Sequence, residues 1–486
     1  MARTRCAAGQ SRSYSSFITE DGGNMAVRMS DEYDVVVIGA GTGGYACALR
    51  AAQLGKRVTL VERDERLGGT CLLRGCIPTK ALLQSAAVLD TVRRSEEWGV
   101  KATGELDWEA VKAFETKAVD KLVSGVTGLV EARKIDVVQG TGNLVAPGPA
   151  VDVGGRTLAA SDVVLATGSA PKLLPGLSIT DRIITSDQAL WYPTVPSSAV
   201  VIGAGAVGLE FASLYRSFGA EVTLLEALPR IAPLEDEDVS KEVGRAFRRR
   251  GIEAHADAEV QGVDEVDEGV KVVFEVAGQT KTVTAEVCLV AVGRGPVTEG
   301  LGLAEAGVDL DRSFVKTDGQ LRTSVPHVWA VGDVAATPLQ LAHVAFAEAM
   351  AVAERIGGID VPDIDYDGIP RVTYCTPEIA SVGLTEAQAV ERGHKVETEK
   401  LNFQAVGKAN IVGEGGIVKL VAEKGGPVLG VHMVGPHVTD LISEAMLITN
   451  WEAVPAEVAA LIHPHPTLSE GIGEAHLALA GKPLHT

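Results

Sequence analysis

The sequence predicts an α/β protein made of two copies of one strand–loop–helix–strand unit, followed by an α+β module. Three observations predict it. A short apolar strand runs into the glycine loop Gly39-Ala40-Gly41-Thr42-Gly43-Gly44 and then into a helical stretch. The same order restarts 164 residues later, at Gly203-Ala204-Gly205-Ala206-Val207-Gly208. Beyond Pro362 the texture changes to short strands and turns, without a third copy of the loop.

Taken in order, residues 33–38 (Tyr-Asp-Val-Val-Val-Ile) read as a short buried strand. A helix is expected over 45–54 and a second strand over 57–61, ending at Glu62, 23 residues past Gly39. Strand, Gly-x-Gly-x-x-Gly, helix, strand and acid in that order mark a Rossmann-type dinucleotide site. Gly39 allows the tight turn, Gly41 the approach of a pyrophosphate, and Gly44 close packing of helix on sheet. The unpaired N–H groups of the helix N-terminus face the phosphates. Glu62 is placed to accept from ribose hydroxyls.

Residues 68–80 read Gly-Gly-Thr-Cys-Leu-Leu-Arg-Gly-Cys-Ile-Pro-Thr-Lys. On a straight helix an i, i+5 pair has Cα atoms roughly 8–9 Å apart, and a disulfide needs less than about 7 Å. A Cys71–Cys76 bridge therefore requires the backbone to leave regular helix here. Gly68, Gly69 and Gly75 permit that, and Pro78 also disfavours an uninterrupted helix. A bridge in distorted backbone is easier to reduce, which suits catalysis. Two unpaired core cysteines remain the alternative; zinc lacks a second cysteine pair. Lys80, four residues past Cys76, can share its helical face and favour a thiolate there, or can be a solvated surface lysine.

Residues 82–135 read as amphipathic helical scaffold, and 138–144 and 151–158 as short strands. A buried strand over 162–166 ends at Thr167-Gly168-Ser169, and Pro171 and Pro175 mark a crossover. In the second unit, strand 199–202, helix 209–218 and strand 222–225 lead to Glu226, again 23 residues past the first glycine. A carboxylate there suits a free 2′-hydroxyl and repels a 2′-phosphate, favouring NAD over NADP, with Arg230 the one nearby feature leaving NADP open. Glu210 falls in the crevice of this unit, or else is a capping carboxylate. A strand at 328–331 precedes Gly332-Asp333, an acid placed for a ribityl or ribose hydroxyl. Gln340-Leu341-Ala342-His343 opens a helix to 356. In His463-Pro464-His465-Pro466, the prolines bar helix. Thr467-x-x-Glu470 matches a capping box, with a helix starting near Thr467. The chemical reading is that Glu470 orients His465 as a general base. No further ligands accompany His463 and His465, so no metal site is assigned.

Composition limits the function classes. At 486 residues the chain is long enough for about three domains. A net charge of −20 argues against nucleic acid and anionic membrane surfaces. Six cysteines in this length indicate a reducing compartment rather than a disulfide scaffold, hence a cytoplasmic expectation. No apolar run approaches the roughly 20 residues that span a membrane. Residues 1–30, rich in Ser, Arg and Gly, are expected to form a disordered extension.

The Gly-Gly-Thr-Cys-x4-Cys-x-Pro-x-Lys stretch, the doubled loop and the His-Pro-Thr-x-Ser-Glu terminus together resemble the flavin disulfide reductases, collinearly over residues 31–480. Within that family the chain is most similar to the NAD-linked members that oxidise dihydrolipoamide. The resemblance implies an FAD-binding domain over 31–170 with a second part over 293–361. It also implies an NAD-binding domain over 171–292 and a C-terminal dimerisation domain over 362–486. FAD is expected along Gly39, Gly41, Gly44, Glu62, Gly69, Thr70, Lys80, Gly142, Thr167, Gly168, Ser169, Asp333, Gln340, Leu341, Ala342 and His343. NAD is expected along Gly203, Gly205, Gly208, Glu226, Val260 and Gly293. Cys76 would face the flavin, Cys71 would exchange with substrate sulfur, and Lys80 would pair with Glu210. His465, held by Glu470, would act as base from the partner subunit of a homodimer. The implied activity is oxidation of protein-bound dihydrolipoamide, with the lipoyl domain of a 2-oxoacid dehydrogenase or glycine cleavage complex as partner. A quinone, metal or small-disulfide reductase, or a non-catalytic FAD scaffold, are the alternatives.

Overall fold

A computed structural model describes residues 31–146 and 148–485; the extension expected at 1–30 lies outside them. Three larger sheets organise the chain. In the first, Asp136–Gln139, Val58–Glu62, Asp31–Ile38 and Arg156–Leu165 lie side by side and parallel. The central residues of the three inner strands are fully buried, as Val35, Val36, Leu60 and Val164 show, while the edge strand Asp136–Gln139 is largely exposed. Runs of β-branched residues covered on both faces are what a parallel sheet requires. The ten-residue strand Arg156–Leu165 has two partners on its far side. Its first half pairs with Ala150–Val153, and its last residues pair in parallel with Val328–Ala330. The chain thus returns to its first sheet after making the second. Helix Ala342–Ile356 then packs on helix Thr42–Gln53.

The second sheet is wholly parallel, in the order Ile252–His255, Glu221–Leu225, Ser198–Ile202, Val287–Val290, Ile183–Ile184. Between its strands sits an antiparallel three-stranded sheet, Glu259–Val266, Gly269–Val276 and Gln279–Ala285, which the sequence reading does not anticipate. The third sheet is antiparallel, with Arg371–Thr373, Glu378–Gly383, Val428–Gly435, Ile417–Glu423 and Val396–Asn402. Helices Val438–Asn450 and Glu470–Leu479 cover it.

The two glycine loops fold alike. Gly39 and Gly203 have φ of +98° and +100°, and a Cβ on either would lie 2.4 Å from a carbonyl oxygen of the neighbouring strand's end. A Cβ on Gly44 or Gly208 would lie 1.8 Å from the oxygen of Gly39 or Gly203. The helices begin at Thr42 and Ala206, three residues earlier than the apolar pattern suggests, because the loop residues themselves form the first turn. The last helix starts at Glu470, later than Thr467, and only half the capping box forms: Glu470 Oε2 accepts from Thr467 N (2.8 Å), while Thr467 Oγ1 donates to Pro464 O (2.7 Å).

One buried ion cluster joins the second sheet's unit to the third. Lys419 Nζ lies 2.9 Å from Asp236 and from Asp238 and 2.6 Å from Glu386, with its side chain only 4% exposed. Removing one partner of a buried pair strands the other. Lys419→Met is therefore expected to cost about 3–5 kcal/mol, read as a lower urea midpoint.

Candidate active site

The two cysteines flank a break between helices. Helix Gly69–Arg74 ends at Gly75, whose φ of −151° and ψ of −108° are not helical, and helix Cys76–Arg94 begins immediately after. The departure from regular helix thus falls between Cys71 and Cys76. Pro78 agrees with it: in an unbroken helix its ring would meet the Arg74 carbonyl, whereas in the first turn of the second helix its missing N–H has no partner to lose. A Cβ on Gly69 would lie 2.5 Å from the Gly41 Cα, so the cysteine segment packs directly on the first glycine loop.

The two thiols are electrostatically unequal. Cys71 donates a hydrogen bond to Cys76, and Lys80 adds its positive field, so the Cys76 thiol is lowered to about 7 in spite of burial. Cys71 is pushed far up, first by that hydrogen bond and then by burial. The dithiol therefore gives up its first proton at Cys76 rather than at Cys71.

Lys80 lies on the face of Cys76, one turn on. Its Nζ donates to Glu210 Oε1 (2.9 Å) and Oε2 (2.8 Å) from the helix Ala206–Phe218. The Glu210 side chain is 7% exposed. Burial would lower the ammonium, and the Glu210 charge more than offsets it. Tyr374, from the third sheet's first turn, closes this corner: its ring lies 4.7 Å below the ammonium, and its N–H donates to Glu210 Oε1 (2.9 Å).

A cavity of about 620 Å³ runs from the first glycine loop past the cysteines to Val207 and Glu210. Gly39, Gly41, Glu62, Gly69, Thr70, Lys80, Gly142, Thr167, Gly168, Ser169, Asp333, Gln340, Leu341, Ala342 and His343 all line it. Gly44 lies behind the loop, against Gly39. Glu62 accepts from Ala40 N (2.6 Å) and Asp64 N (2.9 Å), leaving lone pairs for a ribose. Ser169 Oγ donates to Asp333 Oδ2 (2.5 Å). Arg294 donates to Ser169 Oγ (2.7 Å) and Thr70 Oγ1 (3.3 Å), lines the same cavity, and is absent from the sequence reading. The glycines at the tight positions of the loop, the helix N-terminus and the acid at the strand end would fit a dinucleotide of the flavin type.

A second cavity, of about 750 Å³, opens at Gly205 and Ala206 and is lined by Lys172, Arg312 and Arg371. Glu226 repeats the arrangement of Glu62, accepting from Ala204 N (2.6 Å) and Leu228 N (2.9 Å). Gly203, Gly208, Glu226, Val260 and Gly293 line neither cavity. Val260 is on the three-stranded sheet, two residues past Ala258, whose N–H donates to Glu226 O.

His465 Nδ1 lies 2.7 Å from Glu470 Oε1, and the imidazole is 76% exposed. The pair lines neither cavity, so this chain alone does not bring it to the cysteines. His463 is held separately by Glu444 at 2.7 Å, which raises it. Among the described residues, no group of three or more His, Cys, Asp or Glu could hold a metal ion, and no helix is long and apolar enough to cross a membrane.

Two glycine-loop sheets set around an asymmetric dithiol define an oxidoreductase working between sulfur and a dinucleotide. The chain belongs to the pyridine nucleotide-disulphide oxidoreductase family, whose model matches residues 33–349 and whose dimerisation domain matches residues 369–476. Among its relatives, the dihydrolipoyl dehydrogenase of Bacillus subtilis (strain 168) is 42% identical over 475 residues, covering 94% of this chain and all of its own. The mitochondrial dihydrolipoyl dehydrogenase of Pisum sativum is 39% identical, covering 94% and 93%. Among solved structures, LpdA of Mycobacterium tuberculosis aligns with a TM-score of 0.83 at 26% identity, covering 92% of this chain and 99% of that one.

Proposed function

We propose that the chain is a dihydrolipoyl dehydrogenase, oxidising the dihydrolipoamide of a lipoyl domain and reducing NAD, with FAD as the bound cofactor. The observation that carries this is the dithiol with its charge on Cys76, set beside Lys80–Glu210 at the end of a dinucleotide cavity. Residues Gly39, Gly41, Gly44, Glu62, Gly142, Asp333 and His343 would hold FAD; Gly203, Gly205, Gly208 and Glu226 would hold NAD. Bound FAD supplies a two-electron relay between sulfur and nicotinamide.

The residues of the chain do the sulfur and proton chemistry. In the oxidised enzyme Cys71 and Cys76 share a disulfide. The His465 imidazole, oriented by Glu470, takes a proton from one substrate thiol. The resulting thiolate attacks Cys71 sulfur; the S–S bond breaks and Cys76 leaves as the better-stabilised thiolate. The second substrate thiol then displaces Cys71 from the mixed disulfide, closing the lipoamide ring and leaving the enzyme as a dithiol. Lys80 holds the charge on Cys76 throughout, and Glu210 keeps Lys80 protonated. Because His465 is exposed and away from its own cysteines, the base comes from the partner subunit of a homodimer. Six cysteines in 486 residues and a working dithiol support a reducing, cytoplasmic setting.

Purified protein is expected to reduce NAD with dihydrolipoamide and to use NADP at least about tenfold less well, since Glu226 disfavours a 2′-phosphate. Following NADH absorbance with each nucleotide checks both points. A protein that turned over quinones or small disulfides but not dihydrolipoamide would belong to another branch of the family.

A further inference from the structure

Arg250 follows the helix Glu237–Arg249, lines neither cavity, and takes part in no step above. Its guanidinium nevertheless reaches three of the elements that build the thiol corner. Nη1 donates to Ser213 Oγ (2.6 Å) and to Thr376 O (3.0 Å). Nη2 donates to Ser217 Oγ (2.7 Å) and Asp90 Oδ2 (3.3 Å). The partners are tied to one another as well: Ser217 Oγ donates to Asp90 Oδ2 (2.6 Å), and Thr376 N to Ser213 Oγ (2.9 Å).

Each partner shares an element with a residue of the site. Asp90 is on the helix of Cys76 and Lys80. Ser213 and Ser217 are on the helix of Glu210. Thr376 is two residues past Tyr374. These elements come from three different sheets' units and have no backbone pairing to one another. We propose that Arg250 is a positioning residue that ties the helix Cys76–Arg94, the helix Ala206–Phe218 and the turn 374–376 together, and so holds the Lys80–Glu210 pair against Cys76.

An exposed arginine–aspartate pair would contribute little. This one differs: the Arg250 side chain is 20% exposed, bonds three elements at once, and uses the fixed fork geometry that a lysine lacks. Without it, the direct Ser217–Asp90 and Ser213–Thr376 bonds remain, but the fork that joins them is gone, and among the described residues Asp90 keeps only Arg93, at 3.6 Å, as a cation. The sign of the effect follows from Lys80. Its burial disfavours the ammonium, and Glu210, ahead of Cys76 and Tyr374, offsets this. A Glu210 helix that drifts weakens the pairing that keeps Lys80 charged beside Cys76, and Lys80 lowers the Cys76 thiol by more than Glu210 itself raises it. The titratable groups acting on Cys76 are Cys71, Lys80 and Glu210, with Tyr45 beside both thiols and Asp333 beside Cys71. Those acting on Arg250 are Asp90, Cys375, Arg216 and Glu414.

The proposal rests on Cys76 being the thiolate, and one experiment separates the two. In the reduced holoenzyme, the rate of Cys76 alkylation by iodoacetamide is followed against pH by peptide mass spectrometry. The wild type is expected to show a midpoint near 7. Arg250→Gln is expected to raise it by about one pH unit, slowing alkylation about tenfold at pH 6. Ser213→Ala is expected to raise it less, and Arg250→Lys to fall between wild type and Arg250→Gln. A wild-type midpoint above 8 would remove the reading of Cys76 itself. A normal wild type with unshifted Arg250→Gln and Ser213→Ala profiles would overturn the role of Arg250. Should Arg250→Gln not fold, the Ser213→Ala profile decides.

Discussion

Cys76→Ser is expected to lower dihydrolipoamide-dependent NADH formation by at least about 10⁴-fold while the protein stays yellow. A serine hydroxyl neither forms a disulfide with Cys71 nor ionises near neutral pH, so no redox-active pair remains. The substitution is nearly isosteric, so the cavity wall that Cys76 shares with Gly41, Gly69 and Gly75 keeps its shape. Cofactor retention and turnover should therefore separate cleanly. Absorption spectra of the purified variant alongside the coupled assay test this; a colourless protein would mean that Cys76 holds the cofactor rather than serving the chemistry.

His465→Ala is expected to cost about 10²–10⁴-fold in turnover, the range for loss of a general base. The more telling result comes from dimers that combine one His465→Ala chain with one Cys76→Ser chain. If the base crosses the interface, one of the two sites in each mixed dimer has both Cys76 and a partner histidine. Such dimers, isolated with two affinity tags, should recover roughly half of wild-type activity, as two equivalent sites in a symmetric dimer require. Inactive mixed dimers would place the histidine within its own subunit. The 76% exposure of the His465 side chain in the single chain favours the first outcome.

The glycine loops, the strands before them and the acids after them are readable from sequence because each is a local pattern with a local cause. Gly44 and Gly208 show the limit of what any side chain would tolerate there, a contact of 1.8 Å with the loop carbonyl. The break between Cys71 and Cys76 is readable for the same reason, with Gly75 at the break and Pro78 just inside the new helix. Three features escaped. In the sheet Glu259–Ala285 only the middle strand alternates; the two outer strands are mostly polar and exposed, so they lack a clean pattern. Arg294 and Tyr374 reach the site from far along the chain, and no spacing rule links them to Ser169 or Lys80. Arg250 is harder still, since its partners come from residues 90, 213, 217 and 376. Local pattern names the groups that touch ligands; the groups that hold those in place depend on which helices meet.

The strand Arg156–Leu165 shares its far side between Ala150–Val153 and Val328–Ala330. During synthesis the first of these partners is already present when the strand leaves the ribosome, and the second is not. At about 5–20 residues per second, the intervening segment takes on the order of 10–30 seconds to make. Throughout that interval the edge of the first sheet is bare, and Asp333 and His343 do not yet exist. A nascent chain can fold the second unit before it completes the first, and capture of the flavin nucleotide waits for the late-arriving strand and helix.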